Sequence, residues 1–193
     1  MVRKIYKTRR LILRPYQSAD FKVWAWAYSN LLPKKSKHDW VRKPDQKDSL
    51  REFKKIVLRH KKLAKKDNTY VWPIFEKKTG ALLGSMDIYI ISRDVLQVGN
   101  LGYRIHNRYW RKGFAKEAVV AVILKAFKDL HLNRLEAVID LDNKPSIFLA
   151  KAVGLRRECI RKKYYFQHGH WEDQVVFTAN RNDFGFSELR PKI

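Results

Sequence analysis

Downstream of Gly113 the apolar residues return at helical spacing: Ala115, Ala118, Val119, Val122, Ile123, Ala126, Phe127 and Leu130. That period gathers them on one face and predicts a buried amphipathic helix. Upstream, Val98 to Ile105 reads as a strand, and the basic turn Arg108-Tyr109-Trp110-Arg111-Lys112-Gly113 joins the two. The rest of the pattern falls in order around this unit. Thr8 to Arg14 alternates about Leu11 and Leu13 and predicts a first strand. Phe21 to Tyr28 predicts a short helix after Ser18 and Asp20. Ser49 and Glu52 form a capping-box pattern opening a second helix, with Leu50, Phe53, Val57, His60 and Ala64 inward. Thr69 to Phe75 and Ala81 to Ile91 predict a hairpin. Pro73 has no N–H for a ladder and implies an edge or irregular position. Arg134 to Leu141 predicts a strand, and Asn143 to Val153 a helix ended by Gly154. Leu155 to Phe166 and Trp171 to Ala179 predict a closing hairpin about Gln167-His168-Gly169-His170, with a short tail from Arg181. With no repeat and no low-complexity linker, the 193 residues read as a single domain, 1–193.

The order strand, basic glycine turn, helix suits a phosphate group. A helix start presents unpaired backbone N–H groups and the positive end of the dipole. Gly113 allows close backbone approach, and Arg111 and Lys112 add charge. The turn is neither a P-loop nor a three-glycine dinucleotide fingerprint. On residues alone, a capped helix after a strand with ordinary surface cations fits equally well.

Charge changes the picture more than composition does. Lys and Arg total 42 against 19 Asp and Glu, a net charge of +23. Such an excess attracts polyanions. It reads either as ribosome or RNA association or as the habit of a basic proteome. Lys54, Lys55, Arg59, Lys61, Lys62, Lys65 and Lys66 crowd the second helix, as a polyanion contact or a solvated face. The lone Cys159 excludes an internal disulfide and reads as a half-buried structural cysteine. No long apolar run suggests a membrane span, and the first residues lack a signal core. His168 and His170 lack partner ligands, so no metal is expected.

Taken together, Trp110-Arg111-Lys112-Gly113-Phe114-Ala115-Lys116-Glu117-Ala118, then Asn143, Ser146, Gly154 and Leu155, resemble the GNAT superfamily of acetyl-CoA-dependent N-acetyltransferases. The opening Thr8-Arg9-Arg10-Leu11-Ile12-Leu13-Arg14-Pro15 with Asp20 is similar to the ribosomal-protein alanine N-acetyltransferase branch. The resemblance covers nearly the whole chain. It implies a mixed α/β fold: a mostly antiparallel twisted central sheet with one splayed parallel strand pair, flanked by helices. It implies acetyl-CoA as donor cosubstrate. Arg111, Lys112, Gly113, Phe114 and Ala115 would hold its pyrophosphate. Backbone groups of Tyr103, Arg104 and Ile105 would pair with the pantetheine arm, and Asn143 and Ser146 would contact it.

Acetyl transfer needs a neutral amine, a polarised thioester carbonyl and a proton for the departing thiolate. The resemblance implies Ser146 as the proton donor, with Tyr164 as the other candidate beside Tyr165. Without the resemblance, Asn143 caps a turn and Ser146 is an early helix residue. Asp140 and Glu136 share a strand face and are candidate bases, with Glu158 and Asp173 as alternatives. Asn100 stands where the branch often carries an acid. Trp24, Trp26 and Tyr28 either line an acceptor pocket or pack in the core, and Leu31 to Pro44 reads as a mobile connection near its entrance. The expected function is acetylation of a protein N-terminus in the cytoplasm by direct transfer in a ternary complex, by a monomer or dimer with a possible ribosome contact. The alternatives are a small-molecule amine as acceptor, or an inactive basic ribosome- or RNA-binding module on the same fold.

Overall fold

The computed structural model describes residues 5–39, 49–167 and 169–190. Trp40 to Asp48 and His168 lie outside them, so the end of the Leu31–Pro44 connection and one residue of the closing turn are not described. The strands are β1 (Tyr6–Lys7), β2 (Leu11–Leu13), β3 (Thr69–Glu76), β4 (Leu82–Ser92), β5 (Val98–Ile105), β6 (Arg134–Asp140), β7 (Arg156–Gln167) and β8 (His170–Asn180). The helices are α1 (Phe21–Ser29), α2 (Leu50–Lys65), α3 (Phe114–Asp129) and α4 (Lys144–Ala152). The eight strands form one sheet in the order β1-β2-β3-β4-β5-β6-β8-β7. It is mostly antiparallel; β5 and β6 form the parallel pair, through Val98–Arg134, Gly99–Leu135 and Asn100–Glu136. The expected fold class therefore holds.

The chain divides into two compact units, Met1–Ile88 with Tyr103–Ala118, and Tyr89–Gly102 with Val119–Ile193. In the first, Tyr16, Trp24, Ala27, Phe53, Val57, Phe75 and Leu82 form a core cluster. Aromatic α1 follows from that packing: Trp24 lies 5.0 Å from Phe53, centroid to centroid. Ser49 caps α2, its side chain accepting from Glu52 N at 3.2 Å. Phe53 and Val57 carry the buried face of α2, whereas Leu50 at its start is 43% exposed. In the second unit, β6 and β8 supply buried Leu135, Val175, Val176 and Phe177. Phe127 packs on Phe184 at 5.7 Å and Phe186 at 6.0 Å, so the segment after Arg181 is docked rather than a loose tail.

Three local expectations need correction. The first strand is a tiny hairpin, β1 and β2, because Thr8 turns the chain: its N–H donates to Leu11 O and its Oγ1 accepts from Leu11 N, both at 3.0 Å. Pro73 is on an interior strand, but the β2–β3 ladder runs from Leu11–Glu76 to Leu13–Ile74 and stops just before it. Its missing donor therefore interrupts nothing there. Cys159 is exposed, because β7 is the sheet's outer strand and almost all of it faces solvent.

Candidate active site

The basic turn belongs to the first unit. Beyond β5, a short 3-10 turn over Asn107–Tyr109 leads to Trp110, whose indole N–H donates to Ile105 O at 2.7 Å. Arg111 and Gly113 both have left-handed backbones, φ 59° and 75°. Tight alternation of this kind turns consecutive N–H groups toward one side, an anion-binding concavity. The bond from Glu117 N to Gly113 O, 3.2 Å, begins the helical ladder. Among the described residues, no backbone acceptor pairs with the N–H groups of Phe114, Ala115 or Lys116. These are the orphan donors of a helix start, beside the Arg111 and Lys112 charges.

The turn is held from the opening motif. Glu117 accepts from Thr8 Oγ1 at 2.5 Å, Arg10 N at 2.7 Å and Arg10 Nε at 2.7 Å. Arg10 Nη1 donates to Lys112 O at 2.9 Å, and its guanidinium lies 4.4 Å from the centre of the Phe114 ring. Burial raises the Glu117 pKa, but the bonds from Thr8 and Arg10 together outweigh it and hold the carboxyl below its ordinary value. A Cβ on Gly113 would sit 3.3 Å from Arg10 Nη2. The other part of the motif, Arg14 and Asp20, is a bidentate pair with both bonds at 2.7 Å, anchoring the entry to α1.

The end of β5 is set by Gly84 on β4. A Cβ there would meet Arg104 O at 2.0 Å, so only glycine permits this approach. His106 N donates to Leu83 O at 2.8 Å. Its buried imidazole is pushed down to about 4, by desolvation first and the Arg104 charge second. Tyr103, Arg104 and Ile105 thus form the last residues of β5 with a fixed backbone. Asn107 Nδ2 donates to Asp39 Oδ2 at 3.1 Å, and Asp39 Oδ2 also accepts from Lys35 N at 2.7 Å. The described part of the connection after α1 is therefore tied to this turn. Trp24 is core, 2% exposed, while Trp26 is 51% exposed and lines a shallow pocket with Leu31, Leu32, Asn107 and Tyr109. Tyr28 lies edge-on to His106 at 5.3 Å.

The second unit carries the other candidate groups. Asn143 is the N-cap of α4, its side chain accepting from Ser146 N at 3.3 Å. Ser146 is half-buried in the first turn. Asp140, at the end of β6, accepts on Oδ1 from Gln167 Nε2 at 2.9 Å and Gln174 Nε2 at 2.6 Å. Glu136 is buried between Arg134, at 3.1 Å, and Arg161, at 2.7 Å. Arg161 Nη1 in turn donates to the Tyr164 hydroxyl at 3.3 Å. Glu158 and Asp173 pair with Arg134 and Lys162, as surface carboxylates in a basic chain do.

Several residues escaped the sequence reading. Glu117 is a first-turn acid, which suggests a cap rather than a clasp for Thr8 and Arg10. Asp87 has its pKa raised by burial, partly offset by Arg104, and stands in a strand where alternation alone reads it as outward. Gly84 gave no signal beyond a glycine inside a strand pattern.

The chain thus combines a mixed sheet with one parallel pair and a basic glycine turn that opens the helix after β5. Residues 10–156 match the acetyltransferase (GNAT) domain, and the chain belongs to this family of acetyltransferases. "Probable N-acetyltransferase YjcK" of Bacillus subtilis is 31% identical over 131 residues, covering 67% of this chain and 72% of that protein. The [ribosomal protein uS5]-alanine N-acetyltransferase of Escherichia coli is 25% identical over 120 residues, 62% of each. The solved structure of Mycobacterium smegmatis RimJ in complex with CoA-disulfide superposes with TM-score 0.81 at 19% identity, covering 96% of this chain and 91% of that one. At that identity the likeness is one of fold. No described helix is long and apolar enough to cross a membrane.

Proposed function

We propose that this acetyltransferase moves acetyl from acetyl-CoA to the α-amino group of a protein N-terminus, with a ribosomal protein as the acceptor, acting in the cytoplasm as one domain. The observation that carries the reading is the turn over Arg111–Ala115: two left-handed residues, open helix-start N–H groups and adjacent cations, clasped by the opening motif through Glu117. The resemblance to the uS5-alanine enzyme supports the acceptor class.

In this reading Arg111, Lys112 and the N–H groups of Gly113, Phe114 and Ala115 take the pyrophosphate. The backbone of Tyr103, Arg104 and Ile105 pairs with the pantetheine arm, and one N–H there polarises the thioester carbonyl. Asn143 and Ser146 contact the arm. The neutral amine attacks the carbonyl carbon, the carbon–sulfur bond breaks, and Ser146 Oγ gives the thiolate its proton. Tyr164 is the alternative donor. Asp140 draws the proton from the amine. An α-amine titrates near ~8 and a lysine near ~10.4, so an N-terminus needs little help to be neutral.

The test is mass spectrometry after incubation with acetyl-CoA and a mixture of ribosomal-protein N-terminal peptides, lysine peptides with blocked N-termini, and polyamines. The expected product is a single acetyl group on an α-amine. Acetylation confined to the polyamines would replace this acceptor by a small amine. No acetylation of any member would overturn the acceptor reading.

A further inference from the structure

We propose that the outer strand β7, with the aromatic pair it forms with β8, binds single-stranded RNA. β7 ends the sheet, and nearly all of its 12 residues are exposed. An outer strand normally hides such a length or keeps it short. Here it carries Arg156, Arg157, Arg161, Lys162 and Lys163; Arg156, Arg161 and Lys162 pair with Asp183, Glu136 and Asp173, and Arg157 and Lys163 add positive charge beyond those pairs. At its tip, Phe166 and Trp171 are cross-strand partners in edge-to-face contact, 5.4 Å between centroids, and each is 58% exposed. Tyr165, the residue before Phe166 and so on the opposite face of the strand, is 55% exposed. Exposed aromatic rings on paired strands next to a basic track are what unpaired bases need, since every base offers a face to stack and every nucleotide a phosphate.

Two observations argue against a second copy of the chain on this edge. The β7–β8 register shifts between Arg161 and Tyr165, where Asp173 holds the bulge through Lys162 Nζ at 2.7 Å and Lys163 N at 2.9 Å. Lys163 has φ 46° there. A bulge interrupts the flat row of groups that an added strand requires. Symmetric pairing would also bring the cations of β7 against their own images, which repel. A polyanion meets neither obstacle, and the net charge of +23 draws it in.

The experiment is fluorescence anisotropy of a fluorescein-labelled oligouridine with the full chain, repeated over a series of salt concentrations. Wild type is expected to bind at low salt. F166L/W171L keeps an apolar tip but removes the stacking faces, and is expected to weaken binding by about tenfold with the salt slope unchanged. F166Y/W171F restores aromatic faces and should restore affinity. R157Q/K163Q is expected to flatten the slope of log affinity against log salt by roughly 0.7 for each phosphate no longer neutralised. Acetyl-CoA binding and near-ultraviolet circular dichroism check that each variant is folded. The proposal is overturned if wild type does not bind at low salt, or if F166L/W171L binds as tightly as wild type. It is also overturned if sedimentation shows that these substitutions convert a dimer to a monomer, which would make the edge a self-association surface.

Discussion

The starts of α3 and α4 look alike in sequence and are built in opposite ways. Each follows a strand and a turn, and each begins with free N–H groups to satisfy. At α4 the chain uses its own side chain: Asn143 accepts from Ser146 N. At α3 the first-turn acid that could face the helix start, Glu117, is taken by Thr8 and Arg10 instead. A capped start is stable by itself, whereas an open start clasped from behind is stable and still able to accept a ligand. The contrast teaches that a ligand-binding helix start is recognised by where its acid goes, not by having one.

The hardest blow to the open start is Gly113→Asp. It puts a Cβ at φ 75°, 3.3 Å from Arg10 Nη2, and a carboxylate where pyrophosphate is proposed to lie. Acetyl-CoA affinity should fall by more than about 100-fold by calorimetry, from charge repulsion and loss of close approach. Unchanged affinity in a folded variant would remove the phosphate role from this turn.

At the capped start the sharpest change is Ser146→Ala. The backbone N–H that Asn143 accepts remains, so the cap survives and only the hydroxyl is lost. Turnover should drop by about 100-fold with little change in coenzyme affinity, because a proton donor matters as the carbon–sulfur bond breaks. Equal kcat would return Ser146 to a purely structural place and turn attention to Tyr164→Phe.

Glu117→Gln tests the clasp. The carboxylate accepts several bonds with its side chain 17% exposed, so the loss should be about 2 kcal/mol of stability. Because its pKa is held below the ordinary value, the stabilisation is present above the unfolded pKa of roughly 4.3 and disappears as pH falls through the folded value. Urea unfolding at neutral and strongly acidic pH should show the two proteins diverging only at neutral pH. A gap that persists in acid would mean that packing, not the charge, makes the clasp.

The ease with which these features could be read from sequence follows their range. α3 showed itself through its apolar period, and α4 through Asn143 and Gly154, because both signals lie within a few residues. The turn was legible from Arg111 to Gly113 for the same reason. The clasp was not, since Thr8 and Glu117 are 109 positions apart and neither needs an unusual neighbour. Gly84 was equally silent: what requires it is the backbone of Arg104, and no local pattern reports that approach. Cys159 was misread because burial depends on β7 being outermost, a property of strand order.

The mildest test separates the two uses of Asn143. As an N-cap it satisfies one backbone donor, and Asn143→Ala should cost about 1 kcal/mol, a fall in Tm of roughly 2–4 °C for a chain this size. Serine and aspartate also cap well, so N143S and N143D should keep Tm near wild type. Acetyl-CoA affinity reads the second use. An amide donates as well as accepts, but aspartate cannot donate and serine reaches less far. If Asn143 contacts the pantetheine arm as proposed, N143D should hold its Tm while binding acetyl-CoA about tenfold more weakly. If all three variants bind alike, Asn143 is a cap and nothing more. The α4 start would then contribute to the reaction through Ser146 alone.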